Sequence, residues 1–242
     1  MNRVVRAAYR RLGILQVGRR RVRDLMDFIE DRGITLVIDV GANVGQFGAW
    51  LRRNGYRGKI LSFEPGRADF AILKRKAEAD GNWEAFYCGL GAESGTAVLH
   101  VSKLSVCSSF LELSAAALLH DERMAVDHTE EIAVRTLDEI EIPAAEKVLL
   151  KIDTQGYERQ VLEGGRQSLG RMAGIVMELP VIRTYEGVWK FHEALEFMAE
   201  AGFVPAQIQS VGFHTVDKVA AVEFDCLFRP RSEIDGGSGL AS

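Results

Sequence analysis

The sequence predicts an α/β fold built around a mainly parallel sheet, and three features of the chain support this prediction. Short apolar, β-branched runs alternate with longer segments in which apolar residues recur at helical spacing. A tight glycine-containing loop, GANVG at residues 41–45, joins the first such run to the next helical segment. The length of 242 residues, 47% of them hydrophobic, suits one domain with a small extension.

The expected elements follow one another in a regular order. A helix over residues 23–32 ends at Gly33, and the apolar residues 34–40 form a strand buried on both faces. Further helices are expected at residues 45–54, 68–79, 111–119, 157–169 and 191–201. Further strands are expected at residues 59–63, 83–88, 96–101, 131–136, 148–152, 174–179, 204–209 and 222–229, with a polar loop at 105–110.

The two ends of the chain differ in composition from the rest. Residues 1–24 carry eight arginines interleaved with apolar residues, as in a short amphipathic helix. This segment is expected either to contact anionic lipid headgroups or to pack as a solvated helix on the domain edge. We therefore divide the chain into a basic helical extension (1–33), a main domain (34–230) and a disordered tail rich in Gly and Ser (231–242).

Composition also limits the partners and the compartment. A formal charge of −4 is too small to attract nucleic acid, which is not an expected partner. Cys88, Cys107 and Cys226 are widely spaced, as reduced thiols of a cytoplasmic protein are. The sequence shows neither an apolar run of membrane-spanning length nor a secretory signal. We expect a cytoplasmic protein, which would lie at the inner membrane face only if the basic extension contacts lipid instead of packing on the domain edge.

The loop after the first strand indicates which nucleotide binds. In VIDVGANVGQF (residues 37–47), Gly41 allows the backbone to turn close to a ligand, and Gly45 allows the helix to pack against the strand. Asn43 stands where the dinucleotide pattern GxGxxG has its middle glycine. Asp39, two residues before the first glycine, suits a cationic amino acid group better than a pyrophosphate. The loop therefore favours S-adenosylmethionine over NAD.

Two further turns complete the expected cofactor site. The second strand ends in Glu64 and Pro65, 23 residues after Gly41, where a carboxylate accepts the hydroxyls of a ribose. A glutamate that caps the next helix is the alternative interpretation. Gly89 and Leu90 follow the third strand and are expected to flank the adenine.

These motifs together resemble the FkbM family of methyltransferases over residues 35–230. The resemblance also rests on SSF (108–110), RTLDE (135–139), LLKIDTQGYE (149–158), VLEGG (161–165), MELP (177–180), YEG (185–187) and FDCLF (224–228). It implies a class I methyltransferase, Rossmann-like fold with a seven-stranded, mainly parallel sheet and a final antiparallel strand. It also implies methyl transfer from S-adenosylmethionine to a hydroxyl, commonly of a sugar in a glycolipid, polysaccharide or natural product.

Two carboxylates are the main catalytic candidates. Asp153 follows the fourth strand of the predicted sheet and Glu178 ends the fifth, so both are expected beside the reactive methyl group. They would act as a base with its orienting partner, or hold Mg²⁺ that lowers the pKa of the acceptor hydroxyl. Asp153 as a helix cap is the structural alternative. His214, between the last two strands, and His100 are alternative bases.

Acceptor contacts are expected from loops over the site. Ser108 and Ser109 lie in the polar loop, Gln155 follows the fourth strand, and Tyr185 belongs to a proposed apolar wall. Two other functions stay open at this stage. One is a nicotinamide-dependent oxidoreductase on a similar fold, and the other is a non-catalytic scaffold that kept the cofactor fold.

Overall fold

A computed structural model describes residues 25–103, 105–112, 125–181, 185–213 and 219–235 of the chain. The helices are α1 Leu25–Arg32, α2 Gln46–Arg53, α3 Arg67–Asp80, α4 Glu158–Glu163, α5 Phe191–Glu200 and α6 Ser232–Asp235. The strands are β1 Leu36–Val40, β2 Lys59–Phe63, β3 Trp83–Phe86, β4 Gly89–Leu90, β5 Gly95–Ser102, β6 Val126–Arg135, β7 Val148–Ile152, β8 Met172–Pro180, β9 Phe203–Phe213 and β10 Ala221–Pro230.

Seven strands form the main sheet, in the order β3-β2-β1-β7-β8-β10-β9. Strand β10 runs antiparallel to both of its neighbours, and the other neighbouring strands are parallel. This confirms the predicted sheet with its final antiparallel strand. Because β1 lies between β2 and β7, the chain changes direction across the sheet at β1, and a crevice opens at the carboxyl ends of these strands.

The strands at the centre of the sheet are covered on both faces. All five residues of β1 are buried, as are all residues of β7 except the partly buried Lys151. Leu36 and Ile38 belong to the hydrophobic core on one face, and Val37 and Leu149 to the core on the other. The continuous apolar runs that predicted these strands therefore reflect burial on two sides.

A second, three-stranded sheet was not predicted as a separate unit. It has the order β4-β6-β5, with β5 and β6 antiparallel and β4 parallel to β6. The strand expected at residues 131–136 begins at Val126, because β6 pairs with β5 from Val126 to Val134. Most of the helix expected at residues 111–119 lies outside the described residues.

The helix predicted at residues 157–169 is much shorter than expected. Helix α4 ends at Glu163, and a 3-10 turn follows at Leu169–Arg171. A Cβ on Gly164 would lie 2.0 Å from the carbonyl oxygen of Gly91, and one on Gly165 would lie 2.6 Å from Leu137. The two glycines thus bring neighbouring segments close to the chain where the helix ends, which apolar periodicity does not predict.

The two ends of the chain are described only in part. Residues 1–24 lie outside the described part, so lipid contact by the basic segment stays a prediction. The tail expected to be disordered begins with the short helix α6, where Glu233 pairs with Arg32 of α1, and residues 236–242 lie outside. Within the described ranges, every helix is too short or too polar to cross a membrane.

We predict that Gly48→Ala destabilises the fold. A Cβ on Gly48 of α2 would lie 2.4 Å from the Trp83 ring, which donates from Nε1 to the Ser62 hydroxyl at 2.9 Å and so resists moving. Overpacking of this kind costs about 1–3 kcal/mol, and the better helix propensity of alanine offsets up to about 1 kcal/mol. The free energy of unfolding, measured with denaturant, should fall by about 1–2 kcal/mol.

The matched control is Gly170→Ala. Gly170 is exposed in the turn Leu169–Arg171, and a Cβ there meets nothing within 4 Å. Alanine should raise stability by about 0.4–1 kcal/mol because it restricts the unfolded chain. Equal effects of the two substitutions would contradict the proposed packing of α2 on Trp83.

Candidate functional site

A cleft of about 700 Å³, partly open to solvent, lies at the carboxyl ends of β1, β2 and β7. Six of the eight residues predicted to bind the cofactor line it: Gly41, Asn43, Glu64, Pro65, Gly89 and Leu90. The predicted residues Asp153, Ser108, Ser109 and Gln155 line it as well. The turn after β1 is thus brought together with loops that lie far apart in the sequence.

The turn after β1 is shaped by a close approach of two backbone segments. Gly41 has φ +72°, and a Cβ there would lie 1.9 Å from the carbonyl oxygen of Asp153. The Gly41 amide donates to the Phe63 carbonyl at 3.0 Å, which attaches the turn to β2. Any side chain at position 41 would force the turn away from the ends of β2 and β7.

Glu64 connects the turn with the end of β2. Its Oε2 accepts the amide of Asn43 at 2.6 Å, and its Oε1 accepts the amide of Gly66 at 2.7 Å. Burial raises the pKa of Glu64 to about 7 despite these bonds. A carboxylate oxygen accepts more than one hydrogen bond, so Glu64 keeps acceptor capacity toward the cleft that it lines.

Asp39 does not line the cleft, so its role as a direct cofactor ligand stays a prediction without support from the lining residues. Its side chain is fully buried on β1, with Oδ1 3.1 Å from the ammonium of Lys151. The hydroxyl of Ser62 donates to Oδ2 at 3.2 Å. The ammonium of Lys151 therefore balances the charge of this carboxylate.

Gly45 also lies away from the cleft. It precedes α2 with φ +78°, and a Cβ would lie 2.9 Å from Leu73 and 3.1 Å from Trp83. Its role is the close packing of α2, which the sequence also suggested, and it does not contact the cleft.

Lys151 is a buried cation directly beneath the site. Besides Asp39, its Nζ lies 3.4 Å from Oδ2 of Asp153 and donates to the carbonyl of Gly41 at 3.3 Å. Burial by itself lowers the pKa of Lys151, but the carboxylates of Asp39 and Asp153 outweigh it and raise that pKa. The ammonium therefore stays charged at neutral pH.

Gln155 lies between the two predicted catalytic carboxylates. Its Nε2 donates to Oδ1 of Asp153 at 3.0 Å and reaches Oε2 of Glu178 at 3.5 Å. Glu178 does not line the cleft itself, and the Gln155 amide links it to Asp153, which does. Burial, together with the nearby carboxylates of Asp153, Glu223 and Asp225, raises the pKa of Glu178 to about 8. Glu178 thus holds a proton at neutral pH.

The alternative role of Asp153 as a helix cap is not the one in the structure. Glu158, the first residue of α4, accepts the amides of Thr154 and Gly156 on its Oε1 at 3.1 and 3.0 Å. The Asp153 side chain is 41% exposed and lines the cleft. Because Glu158 takes the free amides of the turn, Asp153 is available to a ligand.

The donor set does not fit the predicted Mg²⁺ site. Among the described residues, no group of three or more His, Cys, Asp or Glu side chains is arranged to hold a metal ion. An amide donor from Gln155 points at Asp153 and Glu178, and an ammonium from Lys151 occupies the other oxygen of Asp153. Hard cations need oxygen ligands that face one point, and here donors already face those oxygens.

The predicted acceptor residues have different surroundings. Ser108 and Ser109 line the cleft, but the Ser109 hydroxyl is buried and donates to the Gln155 carbonyl at 2.8 Å. Tyr185 is buried outside the cleft lining, where its hydroxyl lies 3.0 Å from the Cys107 carbonyl and 3.2 Å from Oε1 of Gln155. These two side chains fix Gln155 instead of facing an acceptor.

The described residues that line the cleft give no support to either histidine predicted as an alternative base. His214 lies outside the described residues. His100 bridges to Ser109 through backbone hydrogen bonds on β5, and its side chain is not part of the cleft lining.

Sequence reasoning gave no role to Phe110. This residue lines the cleft, and a Cβ on Gly89 would lie 2.7 Å from its ring. Its ring also packs against Tyr157, with centroids 5.1 Å apart. Its place after Ser108 and Ser109 in the family motif was the available signal.

Comparison with known proteins identifies the family. The methyltransferase FkbM domain matches residues 39–205, well over half of the chain. The chain belongs to the FkbM methyltransferase family. This membership confirms the resemblance read from the sequence motifs and favours a methyltransferase over the nicotinamide-dependent oxidoreductase. Membership of this family implies S-adenosylmethionine as the cofactor.

Two curated relatives match this FkbM-family chain in part. Methyltransferase 1 of Beauveria bassiana is 28% identical over 155 residues, and methyltransferase sdnD of Sordaria araneosa is 26% identical over 153 residues. The matches cover 58% and 53% of this chain, and 61% and 59% of the relatives. The chain thus spans about three fifths of the length of the curated relatives it matches.

Solved structures with a similar outline include methyltransferase FkbM from Methylobacillus flagellatus KT, with a TM-score of 0.49 and 16% identity. That match covers 81% of this chain and 43% of the other. A TehB-like SAM-dependent methyltransferase from Corynebacterium glutamicum has a TM-score of 0.43 and 12% identity. It covers 94% of this chain and 95% of the other.

We predict that Glu178 makes the stability of this FkbM-family chain depend on pH. Its folded-state pKa of about 8 lies above the ordinary value of 4.5, so the folded state binds a proton that the unfolded state releases between these values. Stability should therefore fall as pH rises from about 5 to 8. In Glu178→Gln, which stays neutral, the thermal midpoint should fall less, and at pH 8 it should be several degrees above that of the wild type.

The control is Glu196→Gln, since Glu196 is exposed on α5. Its pH profile should follow that of the wild type. If Glu178→Gln follows it too, Glu178 is not the buried, protonated group that the geometry indicates.

Proposed function

We propose that this chain is an S-adenosylmethionine-dependent O-methyltransferase whose acceptor is a hydroxyl of a sugar, in a glycolipid, polysaccharide or natural product. The observation that carries the proposal is the cleft at the ends of β1 and β2, where the open turn of Gly41 faces the carboxylate of Glu64. Family membership supplies methyl transfer, and the residues of the cleft support the assignments that follow.

The residues that line the cleft suit an adenosyl cofactor chemically, because apolar side chains stand beside a few polar groups. Glu64 would accept the ribose hydroxyls, and the lining residues Pro65, Leu90 and Phe110 offer apolar surface to a purine. The close approach of Gly41 to the backbone of Asp153 keeps the turn at the ends of β2 and β7, where the methionine part of the cofactor would lie.

Asp153 is the best-placed base for the acceptor. S-adenosylmethionine supplies a methyl group on a sulfonium, which accepts the electron pair of the broken carbon–sulfur bond and leaves as a neutral thioether. Asp153 would take the proton of the attacking hydroxyl, held toward the cleft by Gln155 on one oxygen and Lys151 on the other. Positioning can supply up to about 7–11 kcal/mol, and a base typically adds about 10²–10⁴-fold.

The acceptor side of the cleft is polar. Ser108 and Gln155 line it together with Asp153, and these side chains carry both donors and acceptors. Such a lining favours an acceptor with several hydroxyls over a purely apolar one. The sugar assignment also rests on the resemblance to the family.

Calorimetric titration with S-adenosylmethionine, S-adenosylhomocysteine and NAD tests the cofactor. We expect the wild type to bind both adenosyl ligands and to give no response to NAD. Glu64→Gln should weaken the binding of S-adenosylhomocysteine by about 10- to 100-fold, because charged hydrogen bonds to the ribose are lost. Glu196→Gln should bind as the wild type does. A folded wild type that ignores both adenosyl ligands at millimolar concentration would refute the proposal.

Labelled methyl transfer to cell-envelope glycolipid extracts tests the reaction. We expect Asp153→Asn to lower the transfer rate by about 10²-fold or more while S-adenosylhomocysteine still binds within about threefold of the wild type. Full turnover by this variant would rule out Asp153 as the base. Cofactor binding without transfer to saccharide-containing extracts would instead favour the scaffold alternative.

A further inference from the structure

We propose that Lys151 is a positioning residue that joins the cofactor turn to the catalytic carboxylate, with Asp39 as its buried counter-ion. This inference rests on the proposed function, because it assigns a role within the same site. Three oxygens surround the ammonium, and they come from three parts of the fold: Oδ1 of Asp39, Oδ2 of Asp153 and the carbonyl of Gly41.

The two carboxylates beside Lys151 are not equivalent. Asp39 is fully buried and 3.1 Å from the ammonium, whereas Asp153 is 41% exposed and 3.4 Å away. A buried charge must be paired, and Lys151 and Asp39 satisfy this need for each other. Lys151 therefore holds Asp153 through an ion pair, while Asp39 balances its charge.

The register of the strands creates this arrangement. Asp39 on β1 lies opposite Lys151 on β7 in a parallel pair, so their side chains share one face of the sheet. Asp153 follows Lys151 by two residues and continues on that face. The Phe47 ring of α2 lies over the ammonium, with its centroid 5.6 Å from Nζ. The lysine is thus enclosed by elements that would also surround the cofactor.

The bond to the Gly41 carbonyl gives Lys151 its second contact with the site. The amide of Gly41 is held by the Phe63 carbonyl, and its own carbonyl is held by Lys151. The turn at Gly41 is consequently fixed from both sides, by β2 and by β7. The ammonium of Lys151 thus makes one hydrogen bond, to the Gly41 carbonyl, and two ion pairs, to Asp39 and Asp153.

A purely structural role for Lys151 is the competing interpretation, in which it only neutralises Asp39. The variants Lys151→Met and Asp39→Asn/Lys151→Met separate the two. The single variant leaves Asp39 buried without a cation and should lower the thermal midpoint strongly. The double variant removes both charges, and the asparagine that replaces Asp39 keeps an oxygen for the hydroxyl of Ser62. A neutral pair in place of a buried ion pair is often tolerated.

Lys74→Met is the matched control. Lys74 is exposed on α3, where its Nζ lies 3.8 Å from Oε1 of Glu78, and it does not line the cleft. It therefore measures the effect of replacing a lysine by methionine away from the cofactor turn. This variant should bind S-adenosylhomocysteine within about threefold of the wild type.

Three quantities are measured for each variant: the thermal midpoint, the affinity for S-adenosylhomocysteine, and the rate of labelled methyl transfer to glycolipid extract at saturating S-adenosylmethionine. We expect the double variant to regain most of the midpoint lost by Lys151→Met. It should nevertheless bind S-adenosylhomocysteine at least tenfold more weakly than the wild type and transfer methyl at least tenfold more slowly.

Three results would overturn the positioning role. They are a double variant that regains wild-type affinity and rate, a double variant that does not regain the midpoint, and a Lys74→Met variant as impaired as the double variant. If the wild type itself does not bind S-adenosylhomocysteine, the proposed function fails together with this inference. Failure of the inference alone is recognised by normal binding in the wild type together with any one of these three results.

Discussion

The close approach of the Gly41 turn to the backbone of Asp153 is the constraint on which the site depends. It brings the end of β1 against the end of β7, so that the cofactor turn and the candidate base belong to one cleft. Only a residue without a side chain permits this contact. Glu64 and Lys151 then bond the turn to the strands on either side. The turn and the ends of these strands are thereby held together around the cleft.

Much of the central sheet could be predicted from the sequence, since its strands are buried on both faces. The bounds of β2 and β7 agree with the predicted strands residue for residue, because continuous apolar runs there end at polar residues. The segments that differ from prediction are those whose pairing partners lie far away. Strand β6 extends back to Val126 through its pairing with β5, and α4 ends early where Gly164 and Gly165 meet other segments.

The residues of the candidate site also divide into those that local sequence predicts and those that depend on distant pairing. Glycines and carboxylates at strand ends could be found by their spacing, and Gly41, Glu64 and Asp153 do line the cleft. Which residue pairs with a buried charge depends on how distant segments of the chain pack together. The sequence therefore predicts Asp39 as a cofactor ligand, whereas in the structure the ammonium of Lys151 lies beside its carboxylate. A lysine within the apolar run LLKI, in register with an aspartate of the neighbouring strand, was the signal that pairing would have revealed.

The small sheet β4-β6-β5 gives the cleft two kinds of wall. One wall, from β1, β2 and β7, belongs to the core of the domain, while Gly89, Leu90 and Leu99 belong to the small sheet. The width of the cleft therefore depends on how the small sheet lies against the main one. A substitution that moves the small sheet would narrow or widen the cleft while leaving the strands behind the cofactor turn in place.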